Sequence, residues 1–210
     1  MNEIATRVFI IDDDDAVRRA LTDLLNSANY EVETFATAED FLARKPFSWI
    51  GCIILDVRMP GMGGLNLQER LNQLENPMPI VFITGHGDLP MGVDAMKKGA
   101  VDFLPKPFED EQLLTAVALG LEKNRQAISA FEDLQGFRKR IEALSPREFE
   151  VFRLVIGGYL NKQIAFFLNI AEQTVKIHRG RVMRKLQVDS LADLVRLAEK
   201  AGISPLQIPE

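Results

Sequence analysis

The chain has 210 residues, of which 47% are hydrophobic, and its formal net charge is −5 at pH 7. This length predicts two compact units, and the hydrophobic content is sufficient for packed cores, which argues against a disordered chain. A single cysteine, Cys52, excludes a disulfide framework, and its place at the start of an apolar run predicts a buried structural thiol. Because the sequence shows neither a targeting segment nor an apolar stretch of membrane length, we expect a cytoplasmic protein without a membrane partner.

Charge is distributed unevenly along the chain. Residues 1–122 contain 10 basic and 20 acidic side chains, whereas residues 143–210 contain 10 basic and 7 acidic ones. A basic C-terminal region joined to an acidic N-terminal one predicts a separate module that faces nucleic acid. A basic excess of this size is also common on ordinary protein surfaces.

The first 120 residues alternate short apolar runs with amphipathic helical patterns, which is typical of βαβ units and a parallel sheet. Strands are predicted at residues 8–11, 32–35, 52–55, 80–83 and 102–104. Helices are predicted at residues 16–27, 39–43, 65–74, 89–98 and 109–123. These elements predict one α/β doubly wound domain with a five-stranded parallel sheet.

Polar side chains follow four of these runs: Asp12 and Asp13 follow the first, Asp56 the third, Thr84 the fourth and Lys106 the fifth. The C-terminal ends of parallel strands line one crevice, so we expect these side chains to meet there. An aspartate can attack phosphorus to form an acyl phosphate, and Mg²⁺ favours one or two carboxylates together with phosphate oxygens and water. We therefore predict a phosphoryl-transfer site with Asp56 as the nucleophile. Asp13 would bind the metal directly and Asp12 through water, while Thr84 and Lys106 would contact the transferred group.

Each of these residues also has a purely structural interpretation. An acidic run favours the N-terminus of the helix that follows it, and we adopt this interpretation for Asp14 and Asp15. Taken alone, Lys106 would be an exposed loop residue and Thr84 would cap a turn. Their joint placement at successive strand ends favours the shared site.

Two side chains beside the predicted site lead to a further hypothesis. Arg58 and His86 each stand two residues after a site residue, where they would overhang an attacking water. We hypothesise that they tune the lifetime of the phosphate. Solvation of the loop is the alternative.

The C-terminal portion begins after a stretch rich in Glu, Lys, Arg and Gln at residues 121–140. This stretch predicts an extension of the fifth helix or a helical linker with a break at Gly136, and a mobile tether is the alternative. Ser145, Pro146 and Glu148 then predict a helix start with a capping box. Helices at residues 146–156, 162–168, 172–186 and 191–201 complete a small all-α four-helix domain.

The second and third of these helices form a helix-turn-helix candidate, whose second helix would enter the major groove of DNA. Helical periodicity places Val175, His178, Val182 and Leu186 on one stripe, which we expect to pack on the domain core. The opposite face and its flanks carry side chains that can contact base edges or phosphates: Gln173, Thr174, Lys176, Ile177, Arg179, Gly180, Arg181, Arg184 and Lys185. The alternative is a basic, solvated helix of an ordinary bundle.

Residues 5–120 resemble a two-component receiver domain, through IIDDDDAVR, LDVRMPGMGG, FITGHGD and DFLPKPF in that order. The resemblance implies a flavodoxin-like fold with strand order 2-1-3-4-5, which accepts a phosphoryl group from a histidine kinase with Mg²⁺. It implies that Asp56 is the phosphoacceptor and that the first two aspartates of IIDDDDAVR are the acidic pair. It also implies that Thr84 and Lys106 are the positions that contact the phosphoryl group.

The same resemblance implies three further features of this site. Phe103 matches the aromatic switch residue of the family. The backbone carbonyl of Arg58 matches a further metal ligand. A cis peptide is implied between Lys106 and Pro107, where proline lowers the cost of the cis form.

Residues 144–203 resemble the LuxR-type helix-turn-helix domain, through LSPREFEVF, NKQIAFFLNI and TVKIHRGRVMRKL. Together with the receiver, the whole chain resembles a response regulator of the FixJ subgroup. By that resemblance, Lys176, Ile177 and Gly180 occupy base-facing positions. The implied organisation is a receiver at residues 5–121, a helical linker at 122–142 and a DNA-binding domain at 143–205.

Three positions depart from the LuxR-type pattern. Asn169 replaces the usual turn glycine, which is tolerable because Asn adopts left-handed geometry. Ala171 replaces the expected Ser or Thr cap, which should weaken the helix start by about 1 kcal/mol. Gly180 permits close approach of the backbone but removes one expected contact with DNA.

These features predict a phosphorylation-activated transcriptional regulator that is not a turnover enzyme, apart from accepting a phosphoryl group and slowly releasing it. The resemblance implies a cognate sensor histidine kinase, double-stranded promoter DNA and a homodimer formed through the face of helix four, strand five and helix five. RNA polymerase is a further candidate partner. One alternative is a DNA-binding or scaffold protein whose acidic site is vestigial. The other is an aspartate-dependent phosphatase or phosphotransferase, for which no acid–base group is evident beyond His86.

Overall fold

A computed structural model describes residues 6–44, 50–73, 78–85 and 89–208 of the chain. The chain divides into two compact units, Met1–Ser129 and Ala130–Glu210. The boundaries predicted at 121/122 and 142/143 remain predictions, because the division by contacts falls between them.

The first unit is built on a parallel sheet flanked by helices. Its strands are β1 (Thr6–Ile11), β2 (Glu31–Phe35), β3 (Ile50–Asp56), β4 (Ile80–Thr84) and β5 (Asp102–Pro105). The helices that alternate with them are α1 (Asp15–Ser27), α2 (Ala38–Ala43), α3 (Gly64–Leu71), α4 (Leu89–Lys97) and α5 (Asp110–Glu142). Among the described residues the sheet has five strands in the order β2-β1-β3-β4-β5, and each neighbouring pair is parallel. The predicted doubly wound α/β fold is confirmed.

The sheet separates two hydrophobic clusters, because successive strand residues point to opposite faces. Val8 and Ile10 of β1 belong to a cluster that includes side chains of α1 and α5. Phe9 and Ile11 belong to a second cluster, which includes side chains of α2, α3 and α4. Every residue of β3 and β4 is buried, as expected for strands covered on both faces. This layering leaves the ends of the strands as the place where polar side chains collect.

Cys52 lies inside the first cluster and forms no disulfide. Burial raises the pKa of its thiol to about 12, so the reactive thiolate is disfavoured at neutral pH. The expectation of a buried structural thiol is confirmed.

Helix α5 runs without a break from Asp110 to Glu142 and passes through Gly136. The alternative of a helix break at that glycine is therefore wrong. The physical reason is visible one residue later, where Phe137 is fully buried in the core of the second unit. Burial of one phenylalanine contributes about 2 kcal/mol, which exceeds the cost of about 1 kcal/mol for glycine in a helix.

The second unit is all-α. Its remaining helices are α6 (Pro146–Ile156), α7 (Asn161–Leu168), α8 (Glu172–Leu186) and α9 (Leu191–Lys200). The predicted capping box at the start of α6 is present, with Ser145 and Glu148 each bonding the other's backbone N–H. Helix α7 ends at Asn169 in the left-handed conformation (φ 51°), as expected for the residue that replaces the turn glycine. The predicted four-helix domain is confirmed.

Across the described part of the chain, each helix is either too short or too polar to traverse a lipid bilayer.

Candidate functional site

An ammonium group joins two carboxylates at the C-terminal edge of the sheet. The Nζ atom of Lys106 donates to Oδ2 of Asp12 at 2.8 Å and to Oδ1 of Asp56 at 3.0 Å. Asp12 follows β1, Asp56 ends β3 and Lys106 follows β5, so three separate strands deliver these groups. Asp12 is 1% exposed and Asp56 7%, which places both carboxylates out of contact with most solvent.

Burial and hydrogen bonds act in opposite directions on the pKa values of Asp56 and Lys106. Burial raises the pKa of Asp56 above its ordinary value, and the hydrogen bonds from Lys106 and the backbone of Arg58 offset only part of that effect. Burial also opposes the charged form of Lys106, but hydrogen bonds to Asp12 and Asp56 outweigh it and raise the pKa of the ammonium. Lys106 therefore stays charged at neutral pH. One ammonium facing two carboxylates leaves the cluster with an excess of negative charge when both aspartates are ionised.

Backbone hydrogen bonds hold the two carboxylates in place. The N–H of Arg58 donates to Oδ2 of Asp56 at 2.7 Å, and the N–H of Asp14 donates to Oδ1 of Asp12 at 2.8 Å. Arg18 adds a bond from its guanidinium to the carbonyl oxygen of Asp12 at 2.7 Å. Sequence reasoning missed Arg18, because a side chain that bonds a backbone carbonyl leaves no motif.

The other predicted site residues lie around this cluster. Thr84 is buried at the end of β4, and its carbonyl accepts from the N–H of Lys106 at 2.7 Å. Asp13 is exposed. The ring of Phe103 is half-buried and lies 6.1 Å from that of Phe82, measured between ring centroids. The described residues thus place Asp12, Asp56 and Lys106 in direct contact, with Thr84 joined to Lys106 through the backbone.

Two further predictions concern residues beside the site, a cis peptide and a hypothesis about the lifetime of the phosphate. The peptide between Lys106 and Pro107 is cis, which confirms what the receiver resemblance implied. The hypothesis about phosphate lifetime concerns Arg58, which is exposed, and His86, which lies outside the described residues.

The oxygen donors at this edge of the sheet are the candidate ligands of a divalent metal ion. Within the described ranges, no group of three or more His, Cys, Asp or Glu side chains is arranged to hold a metal ion. The geometry explains this, because the ammonium of Lys106 lies between Asp12 and Asp56 while Asp13 faces solvent. The chemistry of the donors nevertheless fits Mg²⁺, which prefers hard oxygen ligands and binds through only one or two carboxylates. When both aspartates are ionised, the negative charge that Lys106 leaves uncompensated favours such an ion.

Helix α8 presents one apolar and one polar face. Val175, Val182 and Leu186 are buried in the core of the second unit, which confirms the predicted stripe. His178 lies half-buried on the same stripe, and among the described residues its buried Nδ1 atom has no hydrogen-bond partner. This placement agrees with a packed histidine.

The opposite face of α8 is exposed at most of the predicted DNA-contacting positions. The exposed ones are Gln173, Lys176, Ile177, Gly180, Arg181, Arg184 and Lys185, while Thr174 and Arg179 are half-buried. Two of the cations are engaged inside the unit. Arg179 donates to Oδ1 of Asn161 at 2.8 Å, and Lys185 donates to Oε2 of Glu148 at 2.6 Å. Sequence alone gave no sign of these two contacts, because their partners stand on other helices.

The start of α8 lacks the usual side-chain cap. Ala171 occupies the N-cap position with extended backbone and has no side-chain cap hydrogen bond, as its methyl group dictates. The expected weakening of this helix start is therefore consistent with the geometry.

The chain matches two protein families and is similar to known regulators over most of its length. Residues 8–118 match the response regulator receiver domain, and residues 142–198 match the bacterial regulatory proteins of the luxR family. Nodulation protein W of Bradyrhizobium diazoefficiens is 48% identical over 94% of this chain and 87% of its own length. The transcriptional regulatory protein FixJ of the same organism is 43% identical over 93% of this chain and 96% of its own length.

Solved structures show the same architecture. The response regulator StyR is 50% identical, covers 93% of this chain and 99% of its own, and has a TM-score of 0.77. Full-length FixJ from B. japonicum is 42% identical, covers 96% of this chain and 98% of its own, and has a TM-score of 0.56.

The fold, the carboxylates at the strand ends and the two domain matches define a two-component response regulator, in which a receiver domain precedes a LuxR-type DNA-binding domain. Such proteins regulate transcription in a phosphorylation-dependent manner. Within this class, the chain belongs to the FixJ-like family. The family consists of transcriptional regulators and not of turnover enzymes.

Proposed function

We propose that a cognate sensor histidine kinase transfers a phosphoryl group to Asp56, and that this modification controls promoter binding by the C-terminal domain. The observation that carries the proposal is the buried Asp56 carboxylate, held by the ammonium of Lys106 at 3.0 Å and by the N–H of Arg58 at 2.7 Å. A carboxylate oxygen attacks phosphorus, the bond from phosphorus to the donor nitrogen breaks, and the imidazole leaves with the electron pair. The product is an acyl phosphate on Asp56.

The residues around Asp56 have distinct roles in this proposal. Lys106 neutralises charge on the transferred group, and the hydroxyl of Thr84 contacts it. Asp12, Asp13 and Asp56, together with the carbonyl oxygen of Arg58, would hold Mg²⁺. When bound, the ion neutralises the charge that phosphate oxygens and carboxylates bring together. Slow hydrolysis of the acyl phosphate resets the site.

The output is proposed to pass through the face of α4, β5 and α5. Phe103 on β5 is the proposed switch residue, which rearranges with Thr84 when Asp56 is modified. Val93 and Met96 on α4 are 45% and 44% exposed, and Leu119 on α5 is 48% exposed. Exposed apolar side chains of this kind support a homodimer formed through this face after phosphorylation.

A dimer brings two copies of α8 to two half-sites of double-stranded promoter DNA. The exposed Lys176, Ile177 and Arg184 support the proposal that α8 reads DNA, because they lie on the face opposite the core, and the exposed Arg181 lies on its flank. RNA polymerase is a further proposed partner at the promoter. Such a regulator acts in the cytoplasm, where bacterial promoters are found.

The test uses the full-length protein with a small acyl phosphate donor and Mg²⁺. We expect a mass increase of one phosphoryl group, a rise in oligomer size and tighter binding to promoter DNA. Asp56→Asn should abolish all three, whereas the exposed Asp15→Asn should leave them unchanged. Phosphorylation that persists in Asp56→Asn, or a phosphorylated protein with unaltered DNA binding, would contradict the proposal. Multiple turnover of a small phosphate ester would instead indicate an enzyme.

A further inference from the structure

Residues 140–148 hold the C-terminal end of helix α8 by three contacts. The matched LuxR-type region begins within this segment, at residue 142. Nε of Arg140 donates to the carbonyl oxygen of Leu186 at 3.1 Å. Nζ of Lys185 donates to Oε2 of Glu148 at 2.6 Å and to the carbonyl oxygen of Ala143 at 3.3 Å. All of these residues belong to the second unit.

The contact with Glu148 is the shortest of the three, and it joins two opposite charges. Its carboxylate side chain is 4% exposed, so it needs a positive partner and hydrogen-bond donors to remain ionised. It has both, because the same Oε2 atom also accepts from the N–H of Ser145 at 2.9 Å. These bonds, with that of Lys185 the largest contribution, lower the pKa of Glu148 to about 2. Moving the Lys185 ammonium to a DNA phosphate would leave this carboxylate buried without a counter-charge.

The contact made by Arg140 has a different physical basis. The last carbonyls of a helix lack intrahelical partners, and the helix dipole makes that end negative. Leu186 is the last residue of α8, so a guanidinium that donates to its carbonyl satisfies an orphan acceptor and matches the dipole. Phe137, one turn earlier on the same helix as Arg140, is fully buried in the core and anchors that segment.

We propose that Arg140 and Lys185 are positioning residues, which fasten the end of the recognition helix α8 to residues 137–148. The DNA contacts then fall to the exposed cations Lys176, Arg181 and Arg184. This inference rests on the proposed DNA-binding function of α8, and it removes Lys185 from the set of residues that the sequence suggested for DNA contact. The fastened end sets the angle at which α8 meets the major groove.

The first experiment measures how salt weakens the binding of the full-length protein to a random-sequence duplex. Each phosphate contact contributes about 0.9 to the slope of log affinity against log salt. We expect Arg184→Ala to lower this slope by about one contact and Lys185→Met to leave it unchanged. An equal loss of slope in both variants would show that Lys185 contacts DNA, which would overturn the proposal.

The second experiment separates positioning from general stability. A duplex selected from a random pool by the wild-type protein is compared with the random-sequence duplex. Lys185→Met should reduce the preference for the selected duplex by about tenfold, a loss of the size caused by a mismatched base pair. Lys185→Arg, which keeps the charge, should restore it. A preference that is unchanged in Lys185→Met would refute a positioning role.

A third measurement does not depend on DNA. Hydrogen exchange of the α8 amides should quicken in Lys185→Met, in Arg140→Met and in Glu148→Gln. Combining Lys185→Met with Glu148→Gln should add little to either single change, because both break the same pair. If the wild-type protein binds neither duplex, the proposed function fails, and these exchange rates still decide whether the contacts fasten α8. Unchanged exchange rates in all three variants would show that these contacts do not fasten α8.

Discussion

Lys106 and Asp56 stand 50 positions apart in the sequence, yet their side chains meet at 3.0 Å at the edge of the sheet. The same ammonium also serves Asp12, so its removal would leave two buried carboxylates facing each other. We expect Lys106→Met to lower the free energy of unfolding by about 1–3 kcal/mol, because an unpaired buried charge is costly and Lys106 is partly exposed. Mg²⁺ should raise the melting temperature of this variant more than that of the wild type.

Lys98 provides a matched control for this prediction. It too bridges two carboxylates, Glu69 at 2.7 Å and Asp94 at 2.8 Å, but both of these are exposed. Lys98→Met should therefore have a small effect that Mg²⁺ does not reverse. Calorimetry with and without Mg²⁺ measures both variants. Equal melting temperatures for the two variants would argue against a special role for the buried cluster.

Acid should weaken the second unit through Glu148. Its pKa in the folded protein is about 2, below the ordinary value of 4.5, so its contribution to stability is complete above pH 4.5 and disappears as the pH falls towards 2. We expect this contribution to be about 1–2 kcal/mol, since the partner Lys185 is partly exposed. NMR signals of the buried Leu186 methyl groups, followed in urea at about pH 6 and about pH 3, report the loss.

The control for this acid dependence is a second glutamate on the same helix. Glu148→Gln should flatten the dependence on pH, whereas Glu150→Gln should retain it, because the pair between Glu150 and Arg147 is exposed. A wild-type acid dependence that survives in Glu148→Gln would assign the effect to another group.

Gly64 has no room for a side chain. A Cβ atom there would lie 2.3 Å from the carbonyl oxygen of Asp56, whereas at the neighbouring Gly63 the nearest atom would be the carbonyl oxygen of Val57 at 3.4 Å. Gly64→Ala should lower the free energy of unfolding by about 2–4 kcal/mol, because backbone at the end of β3 must move. Gly63→Ala should change it by less than about 1 kcal/mol. Urea unfolding compares the two, and equal losses would contradict this account.

Gly180 differs from Gly64 in the space available for an added Cβ atom. Apart from its chain neighbours and the adjacent backbone of its own helix, no atom of the described residues would lie within 4 Å of a Cβ at Gly180, so packing against the rest of the protein does not require glycine there. Gly180→Ala should stabilise α8 by about 0.5–1 kcal/mol and, if the bare backbone approaches DNA, weaken DNA binding severalfold. Thermal unfolding and duplex binding measure the two effects.

Gly136 on α5 is the control for this pair of effects. A Cβ there would lie 3.5 Å from Nη1 of Arg140, an ordinary contact. Gly136→Ala should stabilise its helix without weakening DNA binding. If Gly180→Ala binds DNA as well as the wild type, close approach at that position is wrong.

The sequence was sufficient for the sheet and for the cluster at its edge, because both follow from local rules. Apolar runs define strands, and the C-terminal ends of parallel strands lie at one edge of the sheet, so the sequence predicts that Asp12, Asp56 and Lys106 meet. The stripe of α8 followed from helical periodicity in the same way.

Such local rules do not predict contacts between side chains that are far apart in the sequence. Lys185 and Glu148 are 37 positions apart, and nothing in either local pattern shows that their charges pair. The unbroken course of α5 through Gly136 likewise depends on the burial of Phe137, which only tertiary packing determines. A set of DNA-contacting residues predicted from one helical face therefore includes some that hydrogen-bond within the protein, as Arg179 does with Asn161.

The burial of Phe137 also bears on how this kind of regulator can be recombined. The matched LuxR-type region begins at residue 142, five positions after a side chain that fills the interior of the same unit. A chimera that joins a foreign receiver at residue 142 would lack that aromatic ring and leave a cavity in the core on which α8 packs. Transplants that carry the helix from residue 130 onward keep the interior filled, so the unit that folds is longer than the unit that sequence families recognise.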